Sequence, residues 1–150
     1  MIHNSLIKPK SIVVIGASNN ITKPGGKLLK NLIDNKFKGR LFAVNRNEEA
    51  VQGVTSFKSA EDLPDVEMAV IAIPAKYCLE VVDILANKKN TKGFIIISAG
   101  FSESGEEGRE LEEEIVKTVK SAKGNLVGPN CIGVITPFHT SVFTTPIPTL

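Results

Sequence analysis

The stretch SIVVIGASNNITKPGG, Ser11 to Gly26, decides the fold. Its first five residues are a short, unbroken run dominated by β-branched side chains. Such runs are typical of a strand buried on both faces. A glycine, Gly16, follows at once, and a helix is expected to begin near Gly25. Strand, glycine turn and helix make the layout of a nucleotide-binding loop. The familiar G-x-G-x-x-G is missing, however. Its second glycine corresponds here to Ser18, and the stretch to the helix is longer.

Four more segments resemble that first strand: Leu41 to Val44, Met68 to Ile73, Gly93 to Ile97 and, more weakly, Asn125 to Val127. Helical patterns lie between them. Leu28, Leu29, Leu32 and Ile33 mark one apolar face, and Cys78, Val81, Val82 and Leu85 another. Leu111, Ile115 and Val119 mark a third, on a helix from about Gly105 to Ala122, with Ser104 and Glu107 as a capping box. Glu113 and Lys117 are spaced as a supporting pair on that helix. A shorter helical turn is expected over Ser59 to Leu63. Alternating apolar strands and helices predict βαβ units and a parallel sheet. The expected fold is α/β: a doubly wound, mainly parallel, five-stranded Rossmann-like sheet in the order 3-2-1-4-5. The domain is expected to span residues 1–137. Residues 138–150, with two prolines and no helical period, read as a tail or a linker towards a second domain outside these 150 residues.

Composition narrows the function. Hydrophobic residues make up 42% and charged residues 23%, and the net charge is +2. That charge is too small to argue for nucleic acid. One Tyr and no Trp leave no base-stacking platform. The longest apolar runs are strand-sized, so no membrane partner is expected. Met1 to Lys10 contains no apolar core of a signal peptide. Cys78 and Cys131 fall in no metal-ligand spacing. Together these features read as a cytoplasmic, reduced protein with no metal. No catalytic constellation is visible either, because neither His3 nor His139 has a Ser, Cys or acid beside it in a motif.

In an open parallel sheet, ligands bind at the carboxyl ends of the strands. Every loop there is small, polar or turn-forming. In the first, Gly16 and Ala17 open a turn in which Ser18, Asn19, Asn20 and Thr22 offer side-chain donors and Lys23 a charge. The helix that follows presents free N–H groups to a phosphate. An ordinary glycine-rich turn is the bland alternative. The second loop is Asn45, Arg46 and Asn47, where an NAD site would place an acid. A cation suits a phosphate on the ribose, which leaves NADP or coenzyme A; a solvated Arg is the plain alternative. Ile73 and Pro74 end the third strand. Ser98, Ala99 and Gly100 follow the fourth and let a ligand chain pass close to backbone. Glu103, just beyond, either bonds ligand or favours the helix start. Asn130 and Cys131 follow the fifth, where Cys131 is either a buried hydrophobe or near the ligand's reactive end.

The segments SIVVIGAS, GFIIISAGFSESGEEG and GPNCIGVITP resemble the N-terminal CoA-binding domain of nucleoside-diphosphate-forming acyl-CoA synthetases. These are the ADP-forming acetyl-CoA synthetases, similar to the alpha subunit of succinyl-CoA synthetase. The resemblance covers about Lys8 to Pro137. It implies that Gly16, Ser18 and Asn19 hold the CoA phosphates and that Asn45 to Asn47 lie beside the adenosine. It also implies that Ile73 and Pro74 pack near the adenine and ribose. Ser98, Ala99 and Gly100 would flank the pantetheine, with Asn130 and Cys131 towards the thiol. Family members usually carry Pro-Lys where this chain has Arg46-Asn47. The family's phosphorylated histidine and ATP-grasp region have no counterpart in these residues. The resemblance therefore implies a chain that binds CoA or acyl-CoA and needs further synthetase domains or a partner subunit for turnover. A stand-alone regulatory CoA module and an NADP-dependent oxidoreductase domain are the alternatives.

Overall fold

The computed structural model describes residues 2–144 and 147. After a short N-terminal helix, α1 (Asn4–Ile7), the chain alternates as the apolar runs demand. β1 (Ser11–Ile15) leads into α2 (Pro24–Asp34), and β2 (Arg40–Val44) into a hairpin of β3 (Ala50–Val51) and β4 (Val54–Phe57). β5 (Met68–Ile71), α3 (Ala75–Lys88), β6 (Gly93–Ile96), α4 (Glu106–Ser121) and β7 (Asn125–Val127) complete the main sheet. A second hairpin, β8 (Gly133–Thr136) and β9 (His139–Val142), follows.

The sheet runs β3-β4-β2-β1-β5-β6-β7, parallel throughout except for β3 against β4. The fold is the expected Rossmann-like α/β, but it has seven strands rather than five. The expected order 3-2-1-4-5 is also corrected. The five segments read as strands lie in the order 2-1-3-4-5, with Met68–Ile71 directly beside β1. The outer position belongs to β4, whose half-exposed Val-Thr-Ser-Phe carries no apolar run.

β1, β5 and β6 are buried along their whole length because helices cover both faces. Val13 and Ile15 face α3 and α4, packing with Cys78, Val82, Leu85 and Ile115. Ile12 and Val14 face α2, packing with Leu28, Leu29 and Leu32. Each fully buried Leu or Ile contributes about 1.5–3 kcal/mol. Cys78 is core, as its place on the helix implied, and burial pushes its thiol up to about 11.

Two local expectations fail. Ser104 does not cap α4; it belongs to a 3-10 turn, and Gly105, at φ +120°, takes the N-cap position. Glu113 sits 4.0 Å from Arg109, one turn back, and makes no ion pair with Lys117. The second hairpin also differs from the expected tail. β9 packs on α2, where Asn31 Nδ2 donates to the Val142 carbonyl at 2.8 Å. His139 is 4% exposed and Ser141 fully buried. His139 Nε2 lies 2.8 Å from the Leu6 carbonyl, and its Nδ1 2.8 Å from Ser141 Oγ. The side-chain polar atoms of His139 and Ser141 find partners inside, which lowers the cost of burying them, whereas Thr144 Oγ1 is buried without one. Residues 145, 146 and 148–150 of the expected tail lie outside the described residues.

Candidate ligand-binding cleft

At the carboxyl ends of β1, β2, β4 and β5 lies a cleft of about 700 Å³. Gly16, Ala17, Ser18 and Lys23 form one side, and Asn45, Arg46 and Asn47 the next. Ile73, Pro74, Tyr77, Val81 and Ile84 form an apolar wall, and Lys58, Ser59 and Glu80 stand on the rim. Three cations to one carboxylate suit an anionic ligand.

The loop between β1 and α2 is held by contacts that require glycine. Gly16 sits at φ +87°, and a Cβ there would lie 2.5 Å from the Ala72 carbonyl oxygen. A Cβ on Gly25 would lie 2.0 Å from the Gly16 carbonyl oxygen, so the first turn of α2 rests directly on the turn after β1. Lys23 is the N-cap of α2 without a side-chain cap bond, and Pro24 follows it. The first amides of the helix therefore keep the donors and the positive dipole end that bind phosphate. Several side chains bond within the loop instead. Ser18 Oγ accepts from the Asn20 amide at 3.0 Å, and Asn20 Oδ1 accepts from Thr22 Oγ1 at 2.6 Å. Asn19 lies off the cleft wall, its Oδ1 accepting from the Gln52 amide at 2.7 Å.

Asn45 acts as a strut. Its Oδ1 accepts from the amides of Asn47 and Glu48 at 2.8 and 3.1 Å, and its Nδ2 donates to the Ala17 carbonyl at 2.9 Å. Arg46 is exposed and, among the described residues, pairs with no acid. It is therefore available to a phosphate.

Ser98, Ala99, Gly100, Asn130 and Cys131 do not line this cleft. They lie further along the same sheet edge, beyond β6 and β7, and are coupled to it. Ser98 Oγ donates to the Ile73 carbonyl at 2.5 Å, and the Asn130 amide donates to the Ser98 carbonyl at 2.9 Å. Glu103 resolves towards a structural role. Its carboxylate accepts from the Gly100 amide and, at 3.1 Å, from the Phe101 amide. Those amides, Gly100's first, hold its carboxyl below the usual range. Phe101 is fully buried, and a Cβ on Gly108 would lie 1.9 Å from its carbonyl oxygen, so α4 starts tight against this loop. Cys131 is half-buried, with Sγ 3.3 Å from the Ile96 carbonyl, and burial raises its thiol pKa.

Sequence reasoning missed Lys58, Ser59, Tyr77, Glu80 and Ile84. Lys58 directly follows the unread strand β4. Tyr77, Val81 and Ile84 recur at i, i+4, i+7 along α3, which was the available signal. Among the described residues no group of three His, Cys, Asp or Glu side chains is placed to hold a metal, and no helix is long and apolar enough to cross a membrane.

Residues 10–137 match the family model described as a CoA binding domain. The chain is 41% identical over 128 residues to the alpha subunit of acetate–CoA ligase (ADP-forming) II from Pyrococcus furiosus, covering 85% of this chain and 28% of that relative. It is 42% identical over 131 residues to acetate–CoA ligase (ADP-forming) II from Archaeoglobus fulgidus, covering 87% and 19%. The acetyl-coenzyme A synthetase 1 of Ca. Korarchaeum cryptofilum, solved with phosphate and ADP, superposes with a TM-score of 0.85 at 34% identity, over 93% of this chain and 30% of that one. This chain thus spans well under a third of the curated relatives it matches. Fold and family match agree: the chain belongs to the CoA-binding domain family and is homologous to that portion of the ADP-forming acyl-CoA synthetases.

Proposed function

We propose that the cleft binds coenzyme A or acyl-CoA as the CoA-binding part of an ADP-forming acyl-CoA synthetase in the cytoplasm. The diphosphate lies against Gly16 to Ser18, Lys23 and the first amides of α2. The adenosine takes the wall of Ile73, Pro74 and Tyr77, with its 3′-phosphate towards Arg46 and Asn47. The pantetheine runs past Ser98, Ala99 and Gly100 towards Asn130 and Cys131. The carrying observation is the pair of bonds from Ser98 Oγ to the Ile73 carbonyl and from the Asn130 amide to the Ser98 carbonyl, which tie the loops after β6 and β7 to the cleft's apolar wall along the same sheet edge. Arg46 stands at the end of β2 where an NAD site places an acid, which favours a ligand with a ribose phosphate, and the match to the CoA binding domain model supports CoA over NADP.

The parent reaction is the reversible conversion of acyl-CoA, ADP and phosphate to acid, CoA and ATP. Further domains or a partner subunit supply the phosphohistidine and the nucleotide site, so this chain alone gives no turnover. Calorimetry tests the reading: CoA binds more tightly than 3′-dephospho-CoA, and NADP(H) binds weakly. Tight NADP(H) binding without CoA binding would overturn it. Tyr77 is the protein's single tyrosine, and there is no tryptophan, so its emission reports directly on the adenosine wall.

A further inference from the structure

We propose that Gln52 is a positioning residue that sets the phosphate loop in its binding pose; the inference rests on the reading of the cleft given above. Gln52 is at the tip of the β3–β4 hairpin, at φ +50°, and Gly53 beside it is at φ +81°. Positive φ at both central residues is what a two-residue hairpin turn requires, so the turn geometry itself holds Gln52 in place. Gln52 reaches out of the turn to the loop. Its Nε2 donates to the Ser18 carbonyl and to the Gly26 carbonyl, both at 2.9 Å. One side-chain amide thus spends both of its hydrogens joining the start of the loop to the first turn of α2. Its backbone amide adds a third bond, to Asn19 Oδ1 at 2.7 Å.

The effect is to fix the spacing between Ser18 and the helix amides before a ligand arrives. A loop closed in advance loses less conformational freedom on binding, and affinity rises accordingly. Gln52 itself does not line the cleft, so its action passes through Ser18 and α2. It sits 34 and 26 residues along the chain from its two partners, and the β3–β4 hairpin carries its amide to the loop.

The test compares wild-type protein with Gln52→Ala and Gln52→Met, the latter keeping the shape without the donors. Calorimetry with CoA and 3′-dephospho-CoA is the readout. Both variants bind both ligands more weakly by about tenfold. The ratio of the two affinities stays at the wild-type value, because the 3′-phosphate lies away from this loop. Amide exchange over residues 17–26 rises while that of β1, β5 and β6 does not. A folded Gln52→Met protein that binds CoA within about twofold of wild type overturns the positioning role alone. A changed affinity ratio overturns it too, by moving Gln52 to the 3′-phosphate. Wild-type protein that fails to bind CoA overturns the cleft reading, and this inference with it. Should the variants not fold, the Gln52 side-chain amide signals in wild-type protein serve instead: slow exchange, slower still with CoA, supports the role, and fast exchange unaffected by CoA overturns it.

Discussion

The Asn45 side-chain amide donates to the Ala17 carbonyl at 2.9 Å, joining the loop after β2 to the loop after β1. The same side chain accepts from two amides of its own turn. Asn45→Ala removes the strut and orphans those groups, so stability falls by about 1–3 kcal/mol. Asn45→Asp keeps the two accepted bonds, loses the link to Ala17 and sets a negative charge beside an anion site. Its melting temperature drops less than that of the Ala variant, while CoA affinity drops further. Thermal unfolding and calorimetry on the two variants separate the effects.

Arg46 stands exposed at the rim with no acid paired to it among the described residues. Arg46→Ala weakens CoA binding by about tenfold, the exposed setting keeping the loss modest. Binding of 3′-dephospho-CoA is unchanged. The CoA affinity of wild type falls as salt is raised, and the variant shows a shallower salt dependence. Equal loss for both ligands would place Arg46 elsewhere along the CoA.

The legible parts of this protein are those where one residue type does one job. β1, β5 and β6 are apolar on both faces, so their burial is written in the run itself. Gly16, Ser18, Arg46 and Pro74 line the cleft, where strand ends place them in such a sheet. β4 escaped because Val54 to Phe57 gain partners only from β2 and β3. With β4 unread, Lys58 and Gln52 had no address. β9 escaped because His139 and Ser141 satisfy each other in the interior, a pairing that no hydrophobic pattern records. Asn45 lines the cleft and Asn19 stands off it, and the side chains of both bond to neighbouring loops. Loop-to-loop bonds of that kind have no periodicity to detect.

Gly25 is the tightest approach among the glycines of the β1–α2 loop. A Cβ there meets a backbone oxygen, Gly16 O, at 2.0 Å, and no flexible side chain can move aside. Gly25→Ala therefore pushes α2 away from the turn after β1. The expected cost is about 1–3 kcal/mol of stability. CoA affinity falls with it, because the helix amides and Gly16 no longer face one phosphate together. Urea unfolding and CoA titration check both; an alanine variant with wild-type stability and affinity would show that the turn tolerates a wider spacing.

His139 links α1 to the β8–β9 hairpin as a buried imidazole between the Leu6 carbonyl and Ser141 Oγ. Burial lowers its pKa, more than the bond to Leu6 raises it. The folded protein therefore binds a proton there less readily than the unfolded chain, whose imidazole titrates near 6.5. Its contribution is complete above that pH and is lost as pH falls towards the folded-state value. Glu103, also lowered, adds a second loss at more acidic pH, below its ordinary 4.5. Melting temperatures measured from about pH 8 to about pH 3 resolve the two. His139→Gln flattens the upper limb and leaves the lower, and Glu103→Gln does the reverse. A wild-type profile flat from about pH 7 to about pH 5 would show that the hairpin is not held by a neutral histidine.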